Sequence, residues 1–144
     1  MKTISQVLED KGRAIYDIGP DALVFDALRE MANRNVGALV VRDGDELVGL
    51  ISERDYARKV ILKDKASKDT PVSDIMSRRV VCVGIGKQVE ACMALMTNKR
   101  IRHLIVMDDD RLVGVISIGD VVKAIIGQQQ FTIEQLEHYI TGGR

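Results

Sequence analysis

Apolar residues along the chain occur either in short continuous runs or at helical spacing. The same order of runs and helical segments occurs twice. Short apolar runs at 15–18 and 80–83 predict strands. Each is followed by apolar residues at helical spacing, which predicts a helix with one buried stripe. The positions expected to be buried on these helices are Val24, Ala27, Leu28, Met31 and Ala32 in the first copy and Val89, Cys92, Met93 and Met96 in the second.

Two further apolar runs follow each helix, and they are joined by an acidic turn. Such a pair predicts a β-hairpin. The aspartates at 108–110 lack the ligand spacing and the glycine of a calcium loop, so they indicate a solvated turn. A second helical pattern comes after each hairpin, which completes the order β-α-β-β-α. Its apolar positions are Tyr56, Ala57, Val60 and Ile61 in the first copy and Val121, Val122, Ile125 and Ile126 in the second.

The two copies match in register. Residues 38–55 read ALVVRDGDELVGLISERD and residues 103–120 read HLIVMDDDRLVGVISIGD, at a constant offset of 65. One unit of about 50 residues would bury too little surface to be stable alone. The sequence therefore predicts an α+β fold in which two βαββα repeats pack about a pseudo-twofold axis, with a C-terminal helix. The expected boundaries are 3–63 for the first repeat, 64–71 for a linker, 72–127 for the second repeat and 128–144 for a helical tail.

The tail carries its own helix signal. Thr132 and Gln135 have the spacing of a capping box, which predicts that a separate helix starts there and ends at Gly142-Gly143. A helix of about ten residues is marginal by itself. We therefore expect it to dock on its own module, on a second copy of the chain or on another partner. Its apolar set is Phe131, Ile133, Leu136, Tyr139 and Ile140.

One motif carries chemistry, the sequence Gly-apolar-Ile-Ser-x-x-Asp. It occurs as GLISERD at 49–55 and as GVISIGD at 114–120. One interpretation is a helix start, in which the serine and the aspartate cap free backbone N–H groups. The other is a ligand site. A strand end that opens onto a helix binds phosphate and ribose in α/β folds, and the glycine leaves room for close backbone approach.

Composition narrows the class of protein. The chain has 144 residues, 21 basic and 21 acidic side chains and a pI near 6.7, which argues against nucleic acid as a partner. We also expect no membrane partner, since no apolar run reaches the length of a membrane span and the N-terminus lacks a signal peptide. Cys82 and Cys92 form neither a disulfide framework nor a CxxC pair, so a cytoplasmic location is expected.

At this point the repeated unit with its Ser-x-x-Asp motif resembles the CBS (cystathionine-β-synthase) domain. The resemblance is to a tandem pair, the Bateman module, as in stand-alone bacterial CBS domain proteins, and it covers about residues 3–127. It implies that the chain binds adenosine-containing ligands, namely AMP, ADP, ATP, NAD(H) or S-adenosylmethionine, in one or two clefts between the repeats, with no metal required. It also implies a homodimer.

The resemblance assigns residues to two clefts. Asp55 and Asp120 would hold ribose hydroxyls, Ser52 and Ser117 would reach phosphate, and the apolar residues and backbone groups would enclose adenine. One cleft would use Ser52, Arg54 and Asp55 with Val83, Ile101, Arg102, His103 and Leu104. The other would use Ser117, Gly119 and Asp120 with Ile18, Val36, Gly37, Ala38 and Leu39.

The two clefts are not equivalent in sequence. The second repeat has Arg102-His103 where the first has Gly37-Ala38. Arg and His at this position resemble the basic pair that grips phosphate in the γ subunit of AMP-activated protein kinase, in reversed order. The hypothesis that follows gives most of the phosphate affinity to the cleft of Asp55, aided by Arg54 and Lys59. The alternative for His103 is a strand-end side chain that faces solvent.

The leading functional hypothesis is a non-catalytic nucleotide sensor, because ligand binding that changes the arrangement of two repeats can be detected by a partner. The regulated partner would be a separate, unidentified protein. An enzyme is disfavoured, because the sequence has no HExxH or Walker A motif and only two histidines. Two alternatives stay open: a constitutive dimeric scaffold with vestigial clefts, and a weak metal-dependent nucleotide hydrolase.

Overall fold

The chain folds into two compact units. The computed structural model describes residues 2–140. One unit is continuous and runs from Ile15 to Val80, while the other combines Met1–Ala14 with Val81–Arg144 as far as these are described. In chain order the elements are α1 (Ile4–Lys11), β1 (Asp17–Ile18), α2 (Val24–Arg34), β2 (Ala38–Asp43), β3 (Glu46–Ser52), α3 (Glu53–Lys59), two 3-10 helices (Ile61–Lys63 and Val72–Asp74), β4 (Cys82–Gly84), α4 (Val89–Lys99), β5 (His103–Asp108), β6 (Arg111–Ser117) and α5 (Ile118–Ile140).

Each unit contains one three-stranded sheet, and the two sheets have the same topology. The strand orders are β1-β2-β3 and β4-β5-β6. The first strand runs parallel to the central one, and the third runs antiparallel to it. Each hairpin has a register shift at an equivalent point, after Val41 and after Val106. The mixed α+β fold with a C-terminal helix that the repeat predicts is therefore confirmed.

Each sheet is covered by the amphipathic helix that precedes its hairpin. Helix α2 buries Val24, Ala27 and Met31 against its sheet, and α4 buries the equivalent Val89, Cys92 and Met96. These buried positions are among those predicted, and Cys92 is a core residue. The buried stripe of α2 is narrower than predicted, because Ala32 is exposed. Two of the apolar positions predicted for the second helix of each unit are also exposed. They are Ala57 and Ile61 in the first unit and Val122 and Ile126 in the second.

Helix α1, which the expected boundaries place at the start of the first repeat, packs with the second sheet. Helix α1 begins with a capping box, in which the Gln6 N–H donates to Thr3 Oγ1 and the Thr3 N–H donates to Gln6 Oε1 at 2.9 Å. Its Ile4, Val7 and Leu8 belong to the same apolar core as α4 and β5. Packing therefore groups the segments differently from their order along the chain.

The C-terminal helix is longer than the sequence predicts. Helix α5 is continuous from Ile118 to Ile140, so the predicted separate start at Thr132 is wrong. Thr132 lies inside the helix, and its Oγ1 donates to the Gln128 carbonyl at 3.0 Å. A hydroxyl that bonds one turn back is compatible with a continuous helix and needs no cap. The predicted end at Gly142-Gly143 lies outside the described residues.

Two equivalent glycines of the motif face the protein's own chain. A Cβ built at Gly49 would lie 2.8 Å from the Ser77 carbonyl oxygen and 2.9 Å from Met76 Sδ. A Cβ built at Gly114 would lie 2.8 Å from Leu8 Cδ2. The space that was expected to admit a ligand is thus occupied by Met76 and Ser77 at Gly49 and by the Leu8 side chain at Gly114.

This difference yields a paired prediction for stability. We expect Gly49→Ala to lower the free energy of unfolding by about 1–3 kcal/mol, as overpacking does, because Ser77 is fixed by two backbone hydrogen bonds with Leu50. Gly114→Ala should cost less, since its closest neighbour is the end of a side chain. Urea unfolding checks both variants. Gly19→Ala, with no atom within 4 Å of its Cβ, is the control and should not lose stability. Equal losses at positions 49 and 114 would contradict the argument.

Candidate functional site

The first motif places Asp55 at the junction of β3 and α3, where both its oxygens are engaged. Oδ2 accepts from the Ser52 N–H at 3.0 Å and from Ser52 Oγ at 3.0 Å. In return, the Asp55 N–H donates to Ser52 Oγ at 3.2 Å. Oδ1 lies 3.0 Å from Lys59 Nζ, which comes one turn later on the same helix. Lys59, expected to aid phosphate binding, instead contacts this carboxylate and donates to the Ile75 carbonyl at 2.9 Å.

The second motif places Asp120 at the junction of β6 and α5. Its Oδ2 accepts from the Ser117 N–H at 2.8 Å, and the Asp120 N–H donates to Ser117 Oγ at 3.2 Å. The cation here is Lys11, the last residue of α1, whose Nζ lies 2.7 Å from Asp120 Oδ2. Lys11 also donates to the Val115 carbonyl at 2.7 Å. This aspartate is therefore fixed by a helix 109 residues away in the chain.

The capping interpretation of the motif is thus correct in both units. Ser52 and Ser117 each satisfy an N–H of the first helical turn, and each aspartate accepts from the N–H of its serine. A carboxylate at a helix N-terminus is also stabilised by the helix dipole. Capping does not exclude binding, because a carboxylate has about four acceptor positions and these caps use only some of them.

The environment of Asp120 shifts its acidity. Burial of the carboxyl would raise its pKa, but the hydrogen bond from Lys11, the N–H of Ser117 and the charge of Lys11 together lower the pKa below the ordinary value of 3.8. The carboxylate is therefore ionised at neutral pH. Its side chain is 23% exposed, against 12% for Asp55.

Each motif lies beside the segment that enters the central strand of its own unit. The Glu53 N–H donates to the Gly37 carbonyl at 3.0 Å, and Ala38 pairs with Ser52 across the sheet. In the other unit the Ile118 N–H donates to the Arg102 carbonyl at 2.8 Å, and His103 pairs with Ser117 across the sheet. Within a unit, Ser52 and Asp55 are thus next to Gly37-Ala38, and Ser117 and Asp120 are next to Arg102-His103. The grouping implied by the resemblance, across the repeats, stays a prediction.

The remaining predicted site residues divide by burial. Val83, Leu39 and Leu104 are at most 5% exposed, and their side chains belong to the two apolar cores. They could contact a ligand only through their backbone. Ile18, Val36, Arg54 and Ile101 are partly buried, and Gly119 is exposed.

A groove between α1 and α5 contains none of the predicted site residues. Its volume is about 820 Å³, and it is lined by Lys2, Gln6, Glu9 and Asp10 of the N-terminal segment and by Gly127, Gln128, Phe131 and Thr132 of α5. Between residues 2 and 140, the structure shows no group of three or more His, Cys, Asp or Glu side chains that could hold a metal ion. In the same range, no helix is long and apolar enough to cross a membrane.

Lys11 was not predicted as part of the site. Comparison of the repeats could not identify it, because it lies before the first βαββα unit, which starts at residue 15, and it contacts the aspartate of the second unit. One local signal was available, since Thr3 and Gln6 have capping-box spacing and start the helix that carries Lys11.

The lowered pKa of Asp120 predicts how stability depends on pH. A carboxyl whose folded-state pKa is below its unfolded value contributes stability above the unfolded pKa and loses it as pH falls through the folded pKa. We therefore expect the free energy of unfolding to fall below about pH 4, and to fall less steeply in Lys11→Met, which removes the hydrogen bond and the charge of Lys11 and keeps the bond from the Ser117 N–H. Urea unfolding across this range is the measurement. Lys2→Met, which removes the Lys2–Asp10 pair, is the control and should keep the wild-type profile. Identical profiles for wild type and Lys11→Met would contradict the assignment.

Comparison with known proteins agrees with the repeat and the fold. The CBS domain family matches the chain twice, at residues 13–62 and 72–127. The chain is 41% identical to a mitochondrial CBS domain-containing protein of Arabidopsis thaliana, over 98% of this chain and 73% of that protein. Because that relative is mitochondrial, the cytoplasmic location stays a prediction.

Solved structures show the same fold. A protein with CBS domains from Burkholderia ambifaria superposes with a TM-score of 0.86 at 48% identity, over 92% of this chain and 99% of that one. A CBS domain protein of Pyrobaculum aerophilum, complexed with AMP, superposes with a TM-score of 0.70 at 27% identity, over 83% and 89% of the two chains. The chain thus belongs to the CBS domain family and carries two CBS domains in tandem.

Proposed function

We propose that the chain is a non-catalytic regulatory module that binds an adenosine-containing nucleotide through its two Ser-x-x-Asp motifs and signals by a change in conformation. The observation that carries the proposal is the repetition of one geometry, an ionisable carboxylate held at a sheet-to-helix junction in both units. A carboxylate can accept both hydroxyls of a ribose diol. The AMP complex of the Pyrobaculum relative supports an adenine nucleotide as the ligand class.

Within this proposal the motif residues have separate roles. Asp55 and Asp120 accept ribose hydroxyls, and the hydroxyls of Ser52 and Ser117 donate to phosphate. Arg102 is exposed and precedes β5, so its guanidinium can bind phosphate in two contacts. The apolar residues assigned by the resemblance enclose adenine, with the buried ones acting through their backbone.

Thermal unfolding with AMP, ADP, ATP, NAD⁺, NADH and S-adenosylmethionine tests the proposal. A ligand at 100 times its dissociation constant adds about 2.7 kcal/mol, or a rise in midpoint of roughly 5–10 °C for a chain of this size. We expect one of these ligands to give that rise, and Asp55→Ala or Asp120→Ala to reduce it. The control is Asp109→Asn in the exposed hairpin turn, at a left-handed position that asparagine tolerates.

Comparing AMP with adenosine isolates the role of Arg102. Arg102→Ala should weaken the affinity for AMP by about tenfold, which corresponds to the loss of roughly one charge-assisted hydrogen bond. The affinity for adenosine should not change. The exposed Arg111→Ala serves as the matched control. Equal affinity for AMP in wild type and Arg102→Ala would remove Arg102 from the site. If none of the ligands raises the midpoint, the sensor proposal fails and a constitutive scaffold takes its place.

We also propose that the chain self-associates through helix α5. One side of this helix presents exposed apolar residues at spacings of three, four or seven residues, a pattern that is typical of helix–helix contact. Their side chains are 39–80% exposed. The stripe consists of Val122, Ile126, Ile133, Leu136 and Ile140.

Sedimentation equilibrium tests this second part of the proposal. We expect a dimer in wild type, and a dimer at least about tenfold weaker in Leu136→Lys, because a lysine in the stripe would be desolvated in the contact. Gln135→Lys adds the same charge one residue earlier, about 100° around the helix and outside the stripe, and should leave the dimer intact. A monomeric wild type, or a Leu136→Lys dimer of unchanged strength, would contradict the proposal.

A further inference from the structure

The two motif carboxylates have cations that come from different places. Lys59 reaches Asp55 from one turn later on α3, and its Nζ lies 3.0 Å from Oδ1. Lys11 reaches Asp120 from α1, and its Nζ lies 2.7 Å from Oδ2. Each lysine also donates to a backbone carbonyl, so neither is a loosely held surface charge.

This difference changes what each carboxylate can still accept. On Asp55 the serine occupies Oδ2 with two hydrogen bonds and Lys59 occupies Oδ1. On Asp120 the Ser117 N–H and Lys11 share Oδ2, so the lysine lies on the oxygen that the cap already uses. A ribose diol brings two O–H donors. At Asp120 the lysine shares the oxygen of the cap, whereas at Asp55 the lysine occupies the oxygen that the cap does not use and must leave it before a diol can bind there.

The repeat shows that the lysine on α3 is not required to build the junction. Ala124 stands at the position equivalent to Lys59 and is 6% exposed. The Ser117–Asp120 cap forms beside this alanine with nearly the same distances as the Ser52–Asp55 cap. Lys59 therefore adds an occupant to the carboxylate and does not build the turn.

We propose that Lys59 competes with the ligand for Asp55, whereas Lys11 positions Asp120 for it, so that the site of Asp120 fills first. The inference rests on the proposed nucleotide function and adds to it an order of binding. Removing an equivalent charge from the two sites then has opposite effects on affinity. Lys11 also makes the Asp120 site depend on α1, which lies outside the repeat that carries the motif.

Calorimetric titration of the full chain with adenosine, which has the diol but no phosphate, tests this inference. Adenosine removes the general effect of lysine charge on an anionic ligand. In wild type we expect a tight and a weak class of site. Lys59→Ala, which installs the residue of the other repeat, should tighten the weak class about tenfold. Lys11→Met, which keeps the apolar stem, should weaken the tight class by a similar factor.

Matched variants assign each effect to its site. Asp55→Ala should remove the weak class of site. In that background, adding Lys59→Ala should have no further effect on adenosine binding. Arg58→Ala and Lys2→Met remove neighbouring charges from α3 and from the start of the α1 segment, and they should change neither class. With 2′,3′-dideoxyadenosine, which lacks both hydroxyls, neither lysine variant should differ from wild type. A purely structural role of the lysines would alter both nucleosides alike.

The outcomes separate the inference from the function on which it rests. If wild type binds neither adenosine nor AMP, the proposed function fails. If wild type binds adenosine but Lys59→Ala leaves its affinity unchanged or weakens it, the function stands and the competition is wrong. Tightening in Lys59→Ala together with weakening in Lys11→Met supports the inference. Should Lys11→Met fail to fold, the Lys59→Ala titration decides alone, since tightening supports the competition and any other result overturns it.

Discussion

The reciprocal hydrogen bonds between a serine and the aspartate three residues later determine the rest of the arrangement. They fix where the third strand of each sheet ends, they start the following helix, and they orient a carboxylate at that junction. A half-buried carboxylate needs a counter-charge or hydrogen bonds to stay ionised. Each unit therefore places a lysine on it, and the source of that lysine separates two sites that the repeat alone makes equal.

The glycine before each motif has a related structural role. Gly49 leaves room for Met76 and Ser77, which follow in the chain, and Gly114 leaves room for the Leu8 side chain of α1. In one unit the crossing chain satisfies the Leu50 carbonyl through the Ser77 N–H. In the other unit the equivalent Val115 carbonyl is satisfied by the Lys11 side chain. The equivalent carbonyl thus accepts a hydrogen bond in both units. Only in the second unit does the donor, Lys11, also contact the motif aspartate.

Much of the fold could be predicted from the sequence, because the repeat doubles every local signal. The hairpins, the buried stripe of α2 and α4 and the Ser-x-x-Asp caps follow from short-range patterns. The sequence did not predict features that depend on tertiary packing or on a competing local hydrogen bond. Thr132 has capping-box spacing but bonds back to Gln128 inside a continuous helix. Lys11 could not be predicted as a partner of Asp120, since nothing in a local pattern specifies which sheet an amphipathic segment will cover.

The placement of α1 has a consequence for how the chain reaches its native state. Residues 15–80 form a unit from one uninterrupted stretch, so its contacts can form as soon as that stretch is available. The other unit needs a segment from before this stretch and a longer one from after it. Contacts such as Lys11–Asp120 close a loop of 109 residues, and such long-range contacts slow folding because the entropy of closure is lost before they form. The apolar face of the N-terminal helix therefore stays uncovered until the segment that follows residue 80 has been made.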